Sequence, residues 1–415
     1  MASSVNNSHK DLDTVSIPQH LLDLETRVRT NVFPWRGQFS PGLVELFLSK
    51  YVAHGEMVFD PFAGVGTTLM EAARQQHRCY GTEINPAAVA MAETVMFIGL
   101  PMPQRQKLLR SAERKLLAVL PASDMPLFNS NAPTSKKTPL AHVVELAKYT
   151  DLNSFERNIV TNVLIRIADD EASSVEAVSL AFRQHSAIIE RLPHSTEQCC
   201  VENVDARQAP LEDVSVDFVF TSPPYLNVFN YHQNNRRAME LLGWDLLDVA
   251  KSEFGSNRKH RGNRFLTVVQ YCLDMSETLL KVCRVLKRHG RAIFVVGRES
   301  SIRGVSFQNG YLVSSLAAMC GLELHLRQER KFKNKFGEVI YEDILHFIKA
   351  GKASPRHANI VQLAISELEA RLDLDLKPDI ESDLRAAIKT APEILPSPMY
   401  KSKAAALPHK NRRSA

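Results

Sequence analysis

The residues richest in chemistry lie in the stretch Asp217-Phe218-Val219-Phe220-Thr221-Ser222-Pro223-Pro224-Tyr225. An apolar run ends in a hydroxyl, consecutive prolines and an aromatic ring. Proline lacks an N–H and holds φ near about −65°, so paired prolines make a stiff turn whose carbonyl oxygens stay outside a ladder. Such acceptors, beside a hydroxyl and a phenol face, can hold the hydrogens of an –NH2 group and stack on a flat ring. A planar exocyclic amine is a poor nucleophile because its lone pair is delocalised into the ring. Acceptors that hold its hydrogens favour a pyramidal nitrogen and free the lone pair for methyl transfer. This is electrostatic preorganisation and needs no covalent intermediate.

A second stretch, Asp60-Pro61-Phe62-Ala63-Gly64-Val65-Gly66-Thr67-Thr68, sets two glycines between an apolar run and a helix-like segment. Glycine lets the chain turn tightly and lets a ligand approach the backbone. Glu83 closes the next short apolar run, where a carboxylate can accept bonds from ribose hydroxyls. Two cofactors use this geometry. A dinucleotide fingerprint has a third glycine where Leu69 stands here. A carboxylate at Asp60 would also repel a pyrophosphate. A cationic sulfonium with an amino-acid tail, S-adenosylmethionine, suits the loop better than NAD, and a plain strand-to-helix turn is the remaining reading of the loop alone.

Together these motifs resemble the DNA amino-methyltransferases, which methylate N4 of cytosine or N6 of adenine. The resemblance covers about residues 33–98 and 200–349. It implies that Ser222, Pro223, Pro224 and Tyr225 form the catalytic turn and that Phe62, Gly64, Gly66 and Thr67 belong to the S-adenosylmethionine loop opened by Asp60. It further implies that Glu83 is the ribose acid and that Asp205-Ala206 contacts the adenine end of the cofactor. The segment FPWRGQFSPGLVELFL, with Trp35 and Phe39, resembles the family's N-terminal cofactor-binding segment. A serine before Pro-Pro-Tyr is typical of N4-cytosine enzymes, and Asp or Asn of N6-adenine enzymes. Double-stranded DNA is the implied substrate. A cognate restriction endonuclease acting separately is the implied partner, with this chain as the modification half.

The elements that must position these residues read as α/β: a doubly wound, seven-stranded sheet of the S-adenosylmethionine-dependent methyltransferase kind, with a C-terminal β-hairpin and a large helical insertion. Short strands are expected at 57–59, 79–82, 200–202, 216–220 and 292–296, and a hairpin at 322–331 and 339–349. A long helix is expected from Phe265 to Leu286, closing at Gly290 after a basic last turn that suits the helix dipole. Ser40-Pro41 reads as a helix start with the hydroxyl as cap. From about 86 to 193 the periodicity is helical throughout. The expected organisation is an N-terminal arm, mobile or a short helix (1–32), a methyltransferase domain (33–98 and 199–350), a helical insertion that could read DNA (99–198), and a helical and basic C-terminal tail (351–415) that is loose beyond about residue 390.

The second candidate DNA surface runs from Asn227 to Arg264. It offers Phe229, Tyr231 and Trp244 for stacking, and Arg258, Lys259, Arg261 and Arg264 for phosphates. The order of motifs along the chain departs from the family's common arrangements, because Asp205 and Ser222 are too close for a recognition domain between them. The net charge of +5 says little, since the segment from Pro398 to Ala415 alone holds five basic residues and no acid. Any nucleic-acid surface must come from local clusters: Lys251–Arg264, Lys281–Arg291 and Arg327–Lys335. Each of these also reads as a solvated face.

Composition excludes other classes. Hydrophobic residues make up 44% and charged residues 23%, as in a globular chain. No apolar run approaches a membrane span, and the polar N-terminus lacks a signal-peptide core. The six cysteines form no CxxC, so no metal site is expected and the chain reads as cytoplasmic with reduced thiols. No Pro-Cys occurs, which removes the nucleophile of cytosine C5 methylation. An RNA guanine-N2 or adenine methyltransferase stays as a rival, as does a non-catalytic DNA-binding subunit. His232 reads as a polar loop residue or phosphate contact.

Overall fold

The computed structural model describes residues 12–24, 29–35, 38, 40–121, 137–149, 151–170, 174–227, 230–256, 262–333, 337–351 and 353–401. After a short turn of helix, α1 (Gln19–Leu22), and α2 (Pro41–Tyr51), the chain alternates β1 (Met57–Asp60), α3 (Thr67–Arg74), β2 (Arg78–Thr82) and α4 (Pro86–Ala92). Only helices follow among the described residues before the next strand: α5 (Met102–Val119), α6 (Pro139–Tyr149), α7 (Ser154–Ile167) and α8 (Val175–Arg191). Then come β3 (Cys199–Glu202), β4 (Val216–Thr221), α9 (Arg236–Leu242), α10 (Leu246–Ser252), α11 (Leu266–Val285) and β5 (Leu286–Gly297). The chain continues through β6 (Glu299–Ile302), β7 (Val305–Gln308), α12 (Asn309–Met319), β8 (Leu322–Lys333), β9 (Val339–Lys349), α13 (His357–Glu369) and α14 (Pro378–Thr390).

Seven strands form one sheet in the order β3-β2-β1-β4-β5-β9-β8. The first five are parallel and β9 runs antiparallel between β5 and β8. This is the doubly wound sheet expected of an S-adenosylmethionine-dependent methyltransferase, with its C-terminal hairpin. Strand alternation sends Val58, Phe218, Phe220, Ile293 and Val295 into one apolar layer. It sends Phe59, Val219, Phe294 and Val296 into the other, under α11, α12 and α13. The chain order reverses between β1 and β4, and there the strands' carboxyl ends open a crevice.

The helices between β2 and β3 have no core of their own. Leu109, Val143, Ile159 and Ile189 belong to the same cluster as Val58 and Phe220. Arg105 ties them together. It is 2% exposed and donates to the carbonyls of Ile98, Leu100, Ile189, Leu192 and Pro193 at 2.7–3.2 Å. Its planar fork satisfies carbonyls at the end of α8 and in the turn before α5 at once.

Several expectations need correction. Ser40 is extended but makes no side-chain cap; the proline alone marks the start of α2. The helix before β5 stops at Val285 rather than running on to Gly290. Leu286 is already extended, and a register shift lies between the pairs Val216↔Leu286 and Phe218↔Arg291. The basic run read as a last helical turn is thus an irregular strand entry. The β6–β7 hairpin was not anticipated; it turns at Arg303 and Gly304, both with positive φ. The described part of the N-terminal arm holds the short helix α1, one of the two readings of this segment, and is tied to β8. Leu12 bridges to Arg327, Gln19 donates to the Glu329 carbonyl at 3.0 Å, and Asp23 accepts from the Lys331 N–H at 2.8 Å. The tail is likewise held as far as residue 401 by contacts described below.

Arg105→Met keeps the bulk but leaves several buried carbonyls without donors. Each such loss costs about 1–3 kcal/mol before relaxation. Urea unfolding should show a loss of at least about 3 kcal/mol, and a loss below about 1 would mean that water replaces the guanidinium.

Candidate active site

The crevice holds about 1060 Å³ of empty space, open solvent at its mouth included. Its walls come from the glycine loop, the end of β2, the turn after β3, the Ser-Pro-Pro-Tyr turn after β4, and the end of α10. Trp35, Phe62, Gly64, Thr67, Glu83, Asp205, Ala206, Ser222, Pro223, Pro224 and Tyr225 all border it. The structure therefore brings the expected loop, acid and turn to one cleft.

Gly66 has φ +85° and starts α3; a Cβ there would meet that of Ala92 at 2.9 Å. Gly66 serves the helix start and its packing on α4 and does not border the cleft, whereas Gly64, with φ +51°, does. Asp60 is also set back. It is 1% exposed and accepts from the hydroxyls of Thr68 (2.6 Å) and Thr221 (2.7 Å) and from the Phe62 N–H (3.1 Å). Its carboxylate ties β1 to α3 and to the end of β4, so it shapes both motifs from behind rather than facing a ligand. Burial pushes it up to about 6, against the pull of the threonines.

Glu83 does face the cleft. Its carboxylate accepts the N–H groups of Asn85 at 2.8 Å and Gly64 at 3.1 Å. Burial pushes it up to about 7. A desolvated carboxylate has acceptor capacity beyond these bonds, and hydroxyl donors in the cleft would complete it. Asp205 borders the cleft, but its oxygens are taken by Arg207 (2.7 and 2.9 Å), the Arg207 N–H and the Tyr400 N–H. Arg207 also reaches Asp274 at 3.1 Å and the carbonyls of Ser397 and Pro398. What Asp205 and Ala206 offer a ligand is chiefly a fixed backbone edge.

At the other end of the cleft the Tyr225 hydroxyl donates to Glu342 on β9 at 3.0 Å, and Arg330 pairs with Glu342 at 3.0 Å. The ring lies against Gly297, where a Cβ would come within 2.8 Å of it. A side chain at 297 would displace the ring. Phe62 meets Phe254 edge-on at 5.3 Å. Glu253 accepts the N–H groups of Asn230 and His232 and the His232 imidazole at 2.7–3.2 Å. His232 is thereby buried as a loop anchor, not set out for a phosphate.

Of the other expected residues, Phe39, Phe229, Arg258, Lys259 and Arg261 lie outside the described residues. Arg264 bonds to Asn227. Tyr231 borders the cleft, but Trp244 is half-buried against the core and is not a free stacking face. The two later basic clusters are partly neutralised: Arg284, Lys287, Arg327 and Arg330 pair with Asp213, Asp217, Asp343 and Glu342. Lys281 is buried.

Sequence reading missed Asn85, Asn203, Glu253, Phe254, Glu342 and Tyr400. Only Asn85 had a local signal: followed by Pro86, it caps α4 through the N–H groups of Ala87 and Ala88. The others act across long sequence separations.

The cleft lies at the carboxyl ends of the strands where the order of an open α/β sheet reverses. A family model described as DNA methylase matches residues 5–94, which contain the glycine loop and Glu83. The Type II methyltransferase M.MjaII of Methanocaldococcus jannaschii is 37% identical over 62 residues, 15% of this chain and 12% of that protein's length. Among solved structures, a SAM-dependent methyltransferase from Methanosarcina mazei aligns at 12% identity and TM-score 0.33, covering 73% of this chain and 96% of that one. A TehB-like SAM-dependent methyltransferase from Corynebacterium glutamicum aligns at 11% identity and TM-score 0.29, covering 74% and 86%.

Asp60 yields a pH prediction. Its folded value lies above the ordinary range, so the stability it contributes is full below about pH 4 and is lost as pH rises through about 6. Asp60→Asn removes that titration. The stability of wild type relative to Asp60→Asn should therefore fall by up to about 3 kcal/mol between pH 4 and pH 7. A constant difference in urea midpoints across this range would contradict the assignment.

Proposed function

We propose that this chain transfers a methyl group from S-adenosylmethionine to the exocyclic N4 of cytosine in duplex DNA. The observation that carries the reading is that Glu83 and the Ser222–Tyr225 turn line one cleft. The cofactor supplies an electrophilic methyl group on a sulfonium. Glu83 would take its ribose hydroxyls, Ile84, Val204 and Ala206 its flat adenine face, and Trp35 with the Gly64 backbone its amino-acid end. Ser222 and the Pro223 carbonyl would hold the amine hydrogens, and Tyr225 would stack on the base. The base reaches the turn only if it is flipped out of the duplex, which costs a few kcal/mol; one aromatic stack returns about 1–3. The helices of 99–198 and the stretch 227–264 flank the cleft in sequence and are the segments proposed to face DNA.

The serine before Pro-Pro-Tyr supports cytosine over adenine. The likeness of one segment to a Type II methyltransferase supports a role as the modification component of a restriction–modification system, acting in the cytoplasm apart from its endonuclease. No helix among the described residues is long and apolar enough to cross a membrane. DNA from cells expressing the chain, sequenced with a readout that separates N4-methylcytosine from N6-methyladenine, tests the reading. N4-methylcytosine at a fixed site is expected. N6-methyladenine would move the target, and unmodified DNA with methylated RNA would replace the substrate class. Ser222→Ala should lower turnover far more than cofactor affinity, because its bonds strengthen in the transition state; equal losses in both would refute that role.

Glu83 gives a cofactor test. The ribose hydroxyls bind the ionised carboxylate, so cofactor binding should release a proton near pH 7 and affinity should fall as pH drops below it. Calorimetry in buffers of different ionisation enthalpy reads that proton. Glu83→Ala should abolish the release and weaken binding about tenfold to a hundredfold. Retention of both would remove Glu83 from the site.

A further inference from the structure

We infer that Tyr400, in the segment after α14, is a positioning residue of the cofactor site and acts through Asn203 on the ribose acid Glu83. The inference rests on the reading of the cleft as an S-adenosylmethionine site and adds a part of the chain that neither glycine loop nor catalytic turn implies.

The geometry is a closed chain of bonds. The Tyr400 hydroxyl donates to Asn203 Oδ1 at 2.8 Å. Asn203 Nδ2 donates to the carbonyl of Glu83 at 2.9 Å and to that of Ile84 at 3.0 Å. Both hydrogens of the Asn203 amide are thereby used, so its oxygen must face the phenol and the phenol must be the donor. Glu83 and Ile84 border the cleft on one side, and Val204, Asp205 and Ala206 on the other. Asn203 stands between the two walls. Tyr400 reaches one wall through Asn203 and the other directly, because its own N–H donates to Asp205 at 3.2 Å.

The rest of the segment holds Tyr400 still. Ser397 donates to Asp274 through its N–H and its hydroxyl, each at 2.7 Å, and Lys401 N–H reaches Asp248 at 3.2 Å. Arg207 clamps the carbonyls of Ser397 and Pro398. These bonds would fix the segment without the phenol hydroxyl. Tyr400 is 7% exposed, and its hydroxyl bonds to the Asn203 side chain that holds the backbone of Glu83. Burial pushes the phenol up to about 12, so it stays a neutral donor across the working range.

The test is Tyr400→Phe, which removes one oxygen and keeps the packing. S-adenosylmethionine and S-adenosylhomocysteine affinities are measured by calorimetry in wild type, Tyr400→Phe, Glu83→Ala and the double variant. Tyr400→Phe should weaken both ligands roughly threefold to tenfold, the effect of one buried neutral hydrogen bond. It should raise KM for the cofactor and leave kcat at saturating cofactor close to wild type. In the Glu83→Ala background its effect should be smaller than in wild type, because only the Ile84 carbonyl then remains for it to act through. Asn203→Ala should show the same loss, and Tyr400→Phe should add nothing to it. Unchanged affinity in Tyr400→Phe, or losses that multiply with those of Glu83→Ala, would overturn the role and leave the cofactor reading standing. Failure of the wild-type chain to bind either ligand would overturn the cofactor reading, and this role with it.

Discussion

The buried guanidinium of Arg207 is the constraint on which the cleft depends. It is held between Asp205 and Asp274, with Glu277 at 3.5 Å on its rim. A cation taken out of water needs partners of good geometry on every nitrogen, or its desolvation exceeds what the pair returns. Here both carboxylates carry further donors: the Asp205 oxygens take N–H groups from Arg207 and Tyr400, and the Asp274 oxygens take those of Gly255 and Ser397. The turn after β3, the middle of α11, the end of the α10 loop and the C-terminal segment are thus fixed to one point. Phe254, which meets Phe62 in the cleft, lies under the same guanidinium at 5.2 Å.

Asp60 plays the matching part on the other side. Its carboxylate is shared by Thr68 at the start of α3 and Thr221 at the end of β4. The glycine loop and the Pro-Pro-Tyr turn therefore keep one spacing. The sheet alone would not impose it, because β1 and β4 pair over a short register. Catalytic geometry needs reacting groups held within a fraction of an ångström, and a buried carboxylate bonded from both sides supplies that.

How far the sequence was legible follows from the range of each interaction. The short strands and the hairpin at 322–349 are local patterns read from a few residues each, and the Asn85-Pro86 cap, equally local, was passed over. The loop, Glu83 and the Ser222–Tyr225 turn were legible because they sit at strand ends, where an open sheet collects its ligands. Asp60 was placed on the right motif but on the wrong side of it, since sequence gives spacing and not the direction of a side chain. Glu342, Phe254 and Tyr400 left no trace, because their partners lie far along the chain. The basic run around Arg288 misled for a further reason: charge at a helix end and charge at a strand entry look alike until the register of β5 against β4 is known.

The Tyr400–Asn203 bond also has a consequence for the order of events in synthesis. Parallel sheets built from distant segments close late, since loop entropy must be overcome before non-local contacts reward it. The sheet around β1, β2 and β4 is complete once β3, β5, β8 and β9 have joined it, the last of them ending at Lys349, whereas the wall beside Glu83 waits for residue 400 to arrive. A nascent chain that has already folded its sheet would still lack a finished cleft, so full affinity for a ligand would come with elongation past residue 400 rather than with folding of the core.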